Sequence, residues 1–202
     1  SLIITVDTSL DQYKIPEAAR AIQEFIDELS NWYVRRNRER FWVKGMPQDK
    51  INAYMTLYTA LVTVAKVAAP MIPFMTEDIY RNLVCHIDPS APESVHLCDF
   101  PVAKTEWIDR KLEDDMELVL KVVALGRAAR NGSNIKNRQP LSRMYVKCEQ
   151  QLDQNYIEII EGELNIREVC FVQDVSHFMT YCFKPQMRTL GPKYGKKIGR
   201  AH

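Results

Sequence analysis

Apolar residues recur at steps of three and four through the first 130 residues, which is the period of an α-helix and not of a strand. A first stripe begins after Pro16 and contains Ile22, Phe25, Ile26, Leu29, Trp32 and Tyr33. A second begins near Pro47 and contains Ile51, Tyr54, Leu57, Tyr58, Leu61, Val62 and Ala65. Pro70 and Pro73 end the second helix, because proline cannot continue a helix interior. This part of the chain is therefore predicted to be a bundle of long helices.

Two more helices complete the predicted bundle. A short one runs through Leu83, with residues 76–78 as its N-cap. A longer one covers about residues 107–130. Its inner face is predicted to consist of Leu112, Met116, Val119, Leu120 and Val123.

The pattern changes after Asn131-Gly132. Short strands are predicted at residues 143–146 and 168–172, with a helix near 153–161 between them and a candidate third strand at 181–183. The predicted fold is therefore mainly α, with a helical bundle over residues 1–140 and a small α/β unit with a basic tail over 141–202. The sequence starts in the middle of a pattern and stops without a signal that ends a fold. We therefore expect a piece of a larger protein.

Composition excludes several classes of protein. A hydrophobic content of 46% and a charged content of 26% are ordinary for a globular domain of 202 residues. The five cysteines form no CxxC pair, which indicates reduced thiols and a cytoplasmic location. The close pairs Cys85-His86 and His96-x-Cys98 lack the second ligand pair of a structural zinc site, so no metal is predicted. The longest apolar runs are too short for a membrane span.

Signatures of catalysis are also missing. The sequence contains no P-loop, no paired-glycine fingerprint, no HExxH and no GxSxG. The four histidines are scattered, and Asp174-x-x-His177 as an acid–base pair is the weaker interpretation, since both residues are common in turns. We expect no catalytic residues and no cofactor bound to this chain.

The net charge of +1 conceals three strongly basic segments. Residues 35–44 hold five cations against Glu39 alone, while residues 127–147 and 184–202 each hold six cations and no acid. Such segregation indicates an anionic partner that meets the basic segments, although solvated helix ends and an exposed tail would give the same pattern.

The first basic segment follows directly on the first apolar stripe. At about 100° per residue, Arg36 and Arg40 continue the face of Leu29 and Trp32. Either these arginines pair with a buried carboxylate of a neighbouring helix, or this end of the helix offers guanidinium groups and indoles to nucleic acid. We favour nucleic-acid binding, and the candidate residues are Trp32, Arg35, Arg36, Arg38, Arg40 and Trp42.

The second segment combines cations and amides in a glycine-containing loop at a helix end. Cations at a helix C-terminus offset the macrodipole, which would explain Arg127 and Arg130 but not Lys136 and Arg138. A loop of this composition can follow a phosphate backbone. Its candidate contacts are Arg127, Arg130, Lys136, Arg138 and Gln139.

These segments resemble isoleucyl-tRNA synthetases. Residues 31–36 (Asn-Trp-Tyr-Val-Arg-Arg), followed by Arg40-Phe41-Trp42, are similar to the anticodon-binding domain of that family. Residues 136–141, 69–74 and 190–196 resemble further segments of the family, so the likeness covers essentially the whole chain. Asn137 departs from the aliphatic residue expected within the motif Lys-x-Arg-Gln.

The resemblance implies a function for the chain and a chemistry for its parent enzyme. The chain would bind the anticodon stem-loop of tRNA(Ile), and the parent, a monomeric cytoplasmic enzyme, would attach isoleucine to that tRNA with ATP and Mg²⁺. The ATP-site motifs His-x-Gly-His and Lys-Met-Ser-Lys-Ser are absent here, and a zinc site would belong to parent regions outside this chain. The alternatives are the equivalent domain of a valyl enzyme and a helical adaptor that binds an acidic protein.

Overall fold

The computed structural model describes residues 1–174, which fall into two compact units. Unit 1 is Ser1–Ile108, and unit 2 begins at Asp109. The mainly α class is confirmed, with helices throughout unit 1 and a two-stranded sheet in unit 2. The division comes earlier than the predicted boundary at residue 140, because the helix that begins at Arg110 packs on the helix of the α/β unit.

Unit 1 is built from five α-helices joined by short irregular segments. They are α1 (Leu2–Asp11), α2 (Ile15–Glu28), α3 (Arg38–Trp42), α4 (Gln48–Ala68) and α5 (Pro73–Tyr80). A π-helix at Leu29–Val34 follows α2, and a second at Arg81–Cys85 extends α5. Short 3₁₀ turns lie at Val95–Leu97 and Thr105–Trp107.

The core of unit 1 contains two apolar clusters. One is centred on Val6 of α1 and includes Ala18, Ile22, Val67 and Ala68. The other surrounds Tyr80, whose side chain is 1% exposed. The small side chains of Ala18 and Ala68 allow the helix backbones to approach closely, and each larger buried aliphatic side chain stabilises the fold by about 1.5–3 kcal/mol.

Pro70 lies between α4 and α5, whereas Pro73 belongs to α5. Pro73 is the first residue of α5, where its fixed φ suits a helix start and its missing N–H is not needed. The predicted N-cap at residues 76–78 is therefore wrong. Thr76 lies inside the helix with 1% of its surface exposed, and its hydroxyl donates to the Ile72 carbonyl at 3.0 Å.

Helix α4 alone among the described residues is long and apolar enough to cross a membrane by length and composition. Its Ala53, Ala65, Val67 and Ala68 are buried in unit 1, and the helix packs against α3 and α5. One such helix is weak evidence for a membrane span, because core helices of globular proteins meet the same criterion.

Unit 2 is a β-α-β arrangement preceded by a long helix. Helix α6 (Arg110–Gly132) leads to β1 (Met144–Lys147), α7 (Gln154–Leu164) and β2 (Val169–Val172). The strands pair in parallel with Met144 opposite Val169 and Lys147 opposite Val172. Both strands and the helix between them were predicted, while the third strand and the basic tail lie outside the described residues.

The inner face of α6 differs from the predicted one at its first position. Val119 and Val123 are buried as expected, but Leu112 is 51% exposed. Asp115 occupies the inner face instead, 5% exposed, and accepts a hydrogen bond from Gln150 Nε2 at 2.7 Å. The buried carboxylate is tolerated there because it has a hydrogen-bond partner.

Candidate nucleic-acid interface

The π-helix at Leu29–Val34 changes which side chains share a face. Its hydrogen bonds run from residue i to i+5, so each turn takes up more chain and later residues rotate away from the face that a spacing of 100° predicts. Trp32 is half-buried, and the guanidinium groups of Arg36 and Arg35 lie 5.5 Å and 6.0 Å from its ring centroid. Arg35 Nε also donates to the Asn31 carbonyl at 2.8 Å. These two arginines therefore lie exposed beside an indole that holds their position.

The short helix α3 presents a cation and an indole to solvent. Arg38 is exposed, and Trp42 is 80% exposed. An indole left this open has a free face on which an unstacked base can lie, and an adjacent guanidinium can bind phosphate.

Aromatic packing fixes α3 on the rest of unit 1. Phe41 is 8% exposed, with its ring centroid 5.0 Å from that of Tyr54 and 6.4 Å from that of Tyr33. The Tyr33 hydroxyl donates to the Ala53 carbonyl of α4 at 3.1 Å. The anchoring role of Phe41 was not predicted from the sequence.

Arg40 is engaged in an ion pair, as the structural interpretation of this segment allowed. Its Nε and Nη2 reach Asp49 Oδ2 and Oδ1 at 2.7 Å and 2.5 Å, and its Nη1 donates to Asn37 Oδ1 at 2.6 Å. The hydrogen bond from Arg40 holds the pKa of Asp49 below its ordinary value and raises the pKa of Arg40 itself. The carboxylate is exposed and not buried, because Asp49 lies in the first turn of α4 at the surface.

The predicted contacts in unit 2 separate into three groups. Lys136, Arg138 and Gln139 lie exposed in the loop after α6. Arg127 is half-exposed, and its Nη2 lies 2.6 Å from Glu163 Oε2, whose side chain is only 4% exposed. Pairing with that carboxylate offsets the charge of Arg127.

Arg130 is the exception, because it lies in the interior of unit 2. Its side chain is 3% exposed, and its guanidinium donates to the carbonyls of Lys136, Gln139, Leu164 and Asn165. A buried guanidinium that is bonded in this way cannot reach a phosphate at the surface. We therefore replace the predicted RNA contact at Arg130 with a structural role.

Two basic surfaces result, one on each unit. The first, called the α3 surface, consists of Trp32, Arg35, Arg36, Arg38 and Trp42, with Arg40 paired to Asp49 at its border. The second, called the basic loop, consists of Lys136, Arg138 and Gln139.

The chain matches a known protein family over most of its length. Residues 1–146 match a family described as the anticodon-binding domain of tRNA ligase, which spans unit 1, helix α6 and the basic loop. The chain belongs to this family.

Relatives of the domain include isoleucine–tRNA ligases from several bacteria. The chain is 53% identical over 198 residues to the enzyme of Clostridium novyi and 50% identical to that of Clostridium tetani, with 98% of this chain covered in each case. It is 41% identical over 96% of its length to isoleucine–tRNA ligase 2 of Bacillus cereus. These matches confirm the resemblance to the isoleucyl family. The chain spans about a fifth of the length of these relatives.

Residues 1–174 contain no cluster of side chains that could hold a metal ion. No three side chains of His, Cys, Asp or Glu come together within that range. Neither Cys85-His86 nor His96-x-Cys98 gains a third potential ligand there.

Proposed function

We propose that this chain binds the anticodon stem-loop of tRNA(Ile) as the anticodon-binding domain of an isoleucine–tRNA ligase. The observation that carries the proposal is the α3 surface. Arg38 and the 80% exposed Trp42 lie on α3, which Phe41 anchors, and the exposed Arg35 and Arg36 lie just before that helix in the chain. The family and the isoleucyl relatives support this assignment over a protein adaptor.

The α3 surface supplies two kinds of contact that a stem-loop requires. The guanidinium groups of Arg35, Arg36 and Arg38 bind phosphate through paired N–H donors. Trp42 stacks on a base splayed out of the loop, and stacking of this kind contributes about 1–3 kcal/mol per base. The cation–π contacts of Trp32 hold two of the arginines in place before RNA arrives.

The basic loop of unit 2 supplies a further set of backbone contacts. Lys136 and Arg138 bind phosphates as charges, while the amide of Gln139 donates to phosphate or sugar oxygens. These contacts set affinity and orientation, and the reading of anticodon bases falls to the exposed aromatic and guanidinium groups of the α3 surface.

The chemistry of the parent enzyme lies outside this chain. In our proposal the parent activates isoleucine with ATP and Mg²⁺ and transfers it to tRNA, acting as a cytoplasmic monomer. This chain contributes no catalytic group and no cofactor. It holds one end of the tRNA so that the acceptor end reaches a distant active site, and any zinc would be bound elsewhere in the parent.

Salt dependence of binding tests the proposal directly. Purified chain is titrated with labelled tRNA(Ile) transcript at a series of salt concentrations. Neutralisation of about five phosphates gives a log–log slope on the order of −4. Affinity that does not change between low and physiological salt would exclude the basic surfaces as the contact.

Competitors separate the remaining alternatives. An isolated anticodon stem-loop of tRNA(Ile) should displace the full transcript, whereas an acidic peptide of equal charge should not. Stronger binding of tRNA(Val) would assign the chain to a valyl enzyme, and displacement by the acidic peptide alone would support an adaptor.

A further inference from the structure

The backbone of the basic loop is held from inside unit 2. Arg130 is 3% exposed, and its Nη1 donates to the carbonyls of Lys136 at 3.1 Å and Gln139 at 3.0 Å. Asn165 Nδ2 donates to the carbonyl of Arg138 at 3.0 Å. Side chains of unit 2 thus bond three carbonyls of the four-residue segment 136–139, while its cationic side chains remain exposed.

The end of α7 makes the burial of Arg130 possible. Arg130 Nη2 donates to the carbonyls of Leu164 at 2.6 Å and Asn165 at 3.2 Å. Carbonyls at the end of a helix have no N–H partner within the helix, so they can accept these bonds. The negative end of the helix dipole offsets the buried positive charge. Among the side-chain atoms of residues 1–174, Arg130 Nε is the one buried polar atom without a partner.

Asn165, which also bonds the basic loop, has an unusual backbone conformation. It caps α7 in the left-handed conformation, with φ of 51° and ψ of 54°. Its carbonyl accepts from the Leu141 N–H at 3.1 Å, and the Arg167 N–H donates to the Leu141 carbonyl at 3.0 Å. The loop is therefore attached at its end to the segment that leads into β2.

We infer that Arg130 and Asn165 are positioning residues, which hold the basic loop in the conformation that binds the RNA backbone. The inference rests on the proposed function and adds two residues that need not touch RNA. A loop whose backbone is already ordered loses less conformational entropy on binding, so its cations contribute more of their contact energy to affinity.

Asn165→Gly tests the inference without disturbing the turn. Glycine adopts the left-handed conformation readily, so the backbone is retained while the bond to Arg138 is lost. The variant is measured in the wild-type chain and in the double variant Lys136→Ala with Arg138→Ala. Thermal unfolding of every variant establishes that the fold is retained.

A positioning role predicts a loss that depends on the loop cations. Asn165→Gly should weaken tRNA binding by about tenfold in the wild-type chain. It should change affinity less than about twofold in the double variant and lower the magnitude of the salt slope only when both cations are present. Equal losses in the two backgrounds would show that Asn165 does not act through the loop.

Arg130→Lys and hydrogen exchange provide independent measurements. Lysine keeps the charge but cannot bond four carbonyls, so the Gln139 amide, which donates to the Lys136 carbonyl at 2.9 Å, should exchange faster without RNA present. Unchanged exchange in both Asn165→Gly and Arg130→Lys would overturn the inference. If the double variant binds tRNA at full strength, the loop makes no contact and the inference fails while the α3 surface stands. If the wild-type chain binds no tRNA, the proposed function itself fails.

Discussion

Arg40 and Asp49 form a two-point ion pair that joins α3 to the first turn of α4. Nε and Nη2 of the arginine reach the two carboxylate oxygens at 2.7 Å and 2.5 Å, and Nη2 also donates to the Asp49 carbonyl at 3.3 Å. Arg38, two residues earlier in the chain, is exposed. Within a single turn, therefore, Arg40 has a structural role and Arg38 is exposed to solvent.

Arg38→Ala should weaken tRNA binding without affecting stability. A charge-assisted contact is typically worth about 1.5–3 kcal/mol, so we expect affinity to fall by about tenfold or more. The free energy of unfolding should change by less than about 0.5 kcal/mol, as is usual for surface substitutions. Equilibrium tRNA binding and thermal unfolding of the same preparation measure both quantities.

Arg20→Ala is the matched control for Arg38→Ala. Arg20 is an exposed cation on α2 in the same unit, so its removal lowers net charge equally. If the two variants lose the same affinity, then general charge and not the α3 surface determines binding.

The Arg40–Asp49 pair should make stability depend on pH. Since the hydrogen bond from Arg40 lowers the pKa of Asp49 in the folded chain, the stabilisation is fully present above the ordinary carboxyl pKa. It is lost as pH falls through the lowered pKa of the folded state. The melting temperature of Asp49→Asn should therefore lie below that of the wild-type chain at neutral pH and converge with it in acid.

Thermal unfolding over a pH series measures this convergence. Asp27→Asn, at an exposed position on α2, provides a control for the loss of one negative charge. A difference between wild type and Asp49→Asn that persists unchanged into acid would mean that the ion pair does not stabilise the fold.

Gly126→Ala should destabilise unit 2 even though alanine favours helices. A Cβ at position 126 would overlap Leu164 Cδ1, and Leu164 is 1% exposed, so its side chain has little room to move. Overpacking of a buried contact typically costs about 1–3 kcal/mol. Chemical denaturation measures the loss, and Leu164→Ala in the same chain should relieve the overlap.

Gly162→Ala is the opposite case within the same unit. No neighbouring atom lies within 4 Å of a Cβ placed there, and the residue lies in the last turn of α7. Alanine should stabilise the chain by about 0.5–1 kcal/mol, because glycine loses more backbone entropy on folding. Destabilisation by both substitutions would show that the contact with Leu164 is not the cause.

Treatment with a metal chelator should leave the domain folded. Residues 1–174 bring no three potential ligands together, and the cysteines among them are free. We expect no stoichiometric zinc by elemental analysis of the purified chain and no change of melting temperature in a chelator. About one zinc per chain, lost together with the fold in chelator, would contradict this.

Much of the fold could be predicted from the sequence because local patterns carry it. Helical periodicity places α2, α4 and α6, and the alternation after Asn131 places β1, α7 and β2. Boundaries were less predictable, as at Pro73, where a proline that breaks one helix also begins the next. The family was evident from residues 31–36 and 136–141, since a linear motif does not depend on knowing its partners.

The burial of individual cations was decided by tertiary structure alone. Arg40, Arg127 and Arg130 each have a partner 9 or more positions away along the chain, beyond any helical spacing: Asp49, Glu163 and the Asn165 carbonyl. The π-helix at Leu29–Val34 also breaks the regular period from which the face of Arg36 and Arg40 was predicted. Sequence alone therefore determined that the chain is mainly helical and that it carries three basic segments. Only the packing of distant carboxylates and helix ends determined which cations remain at the surface, because a charge is neutralised by what lies near it in space.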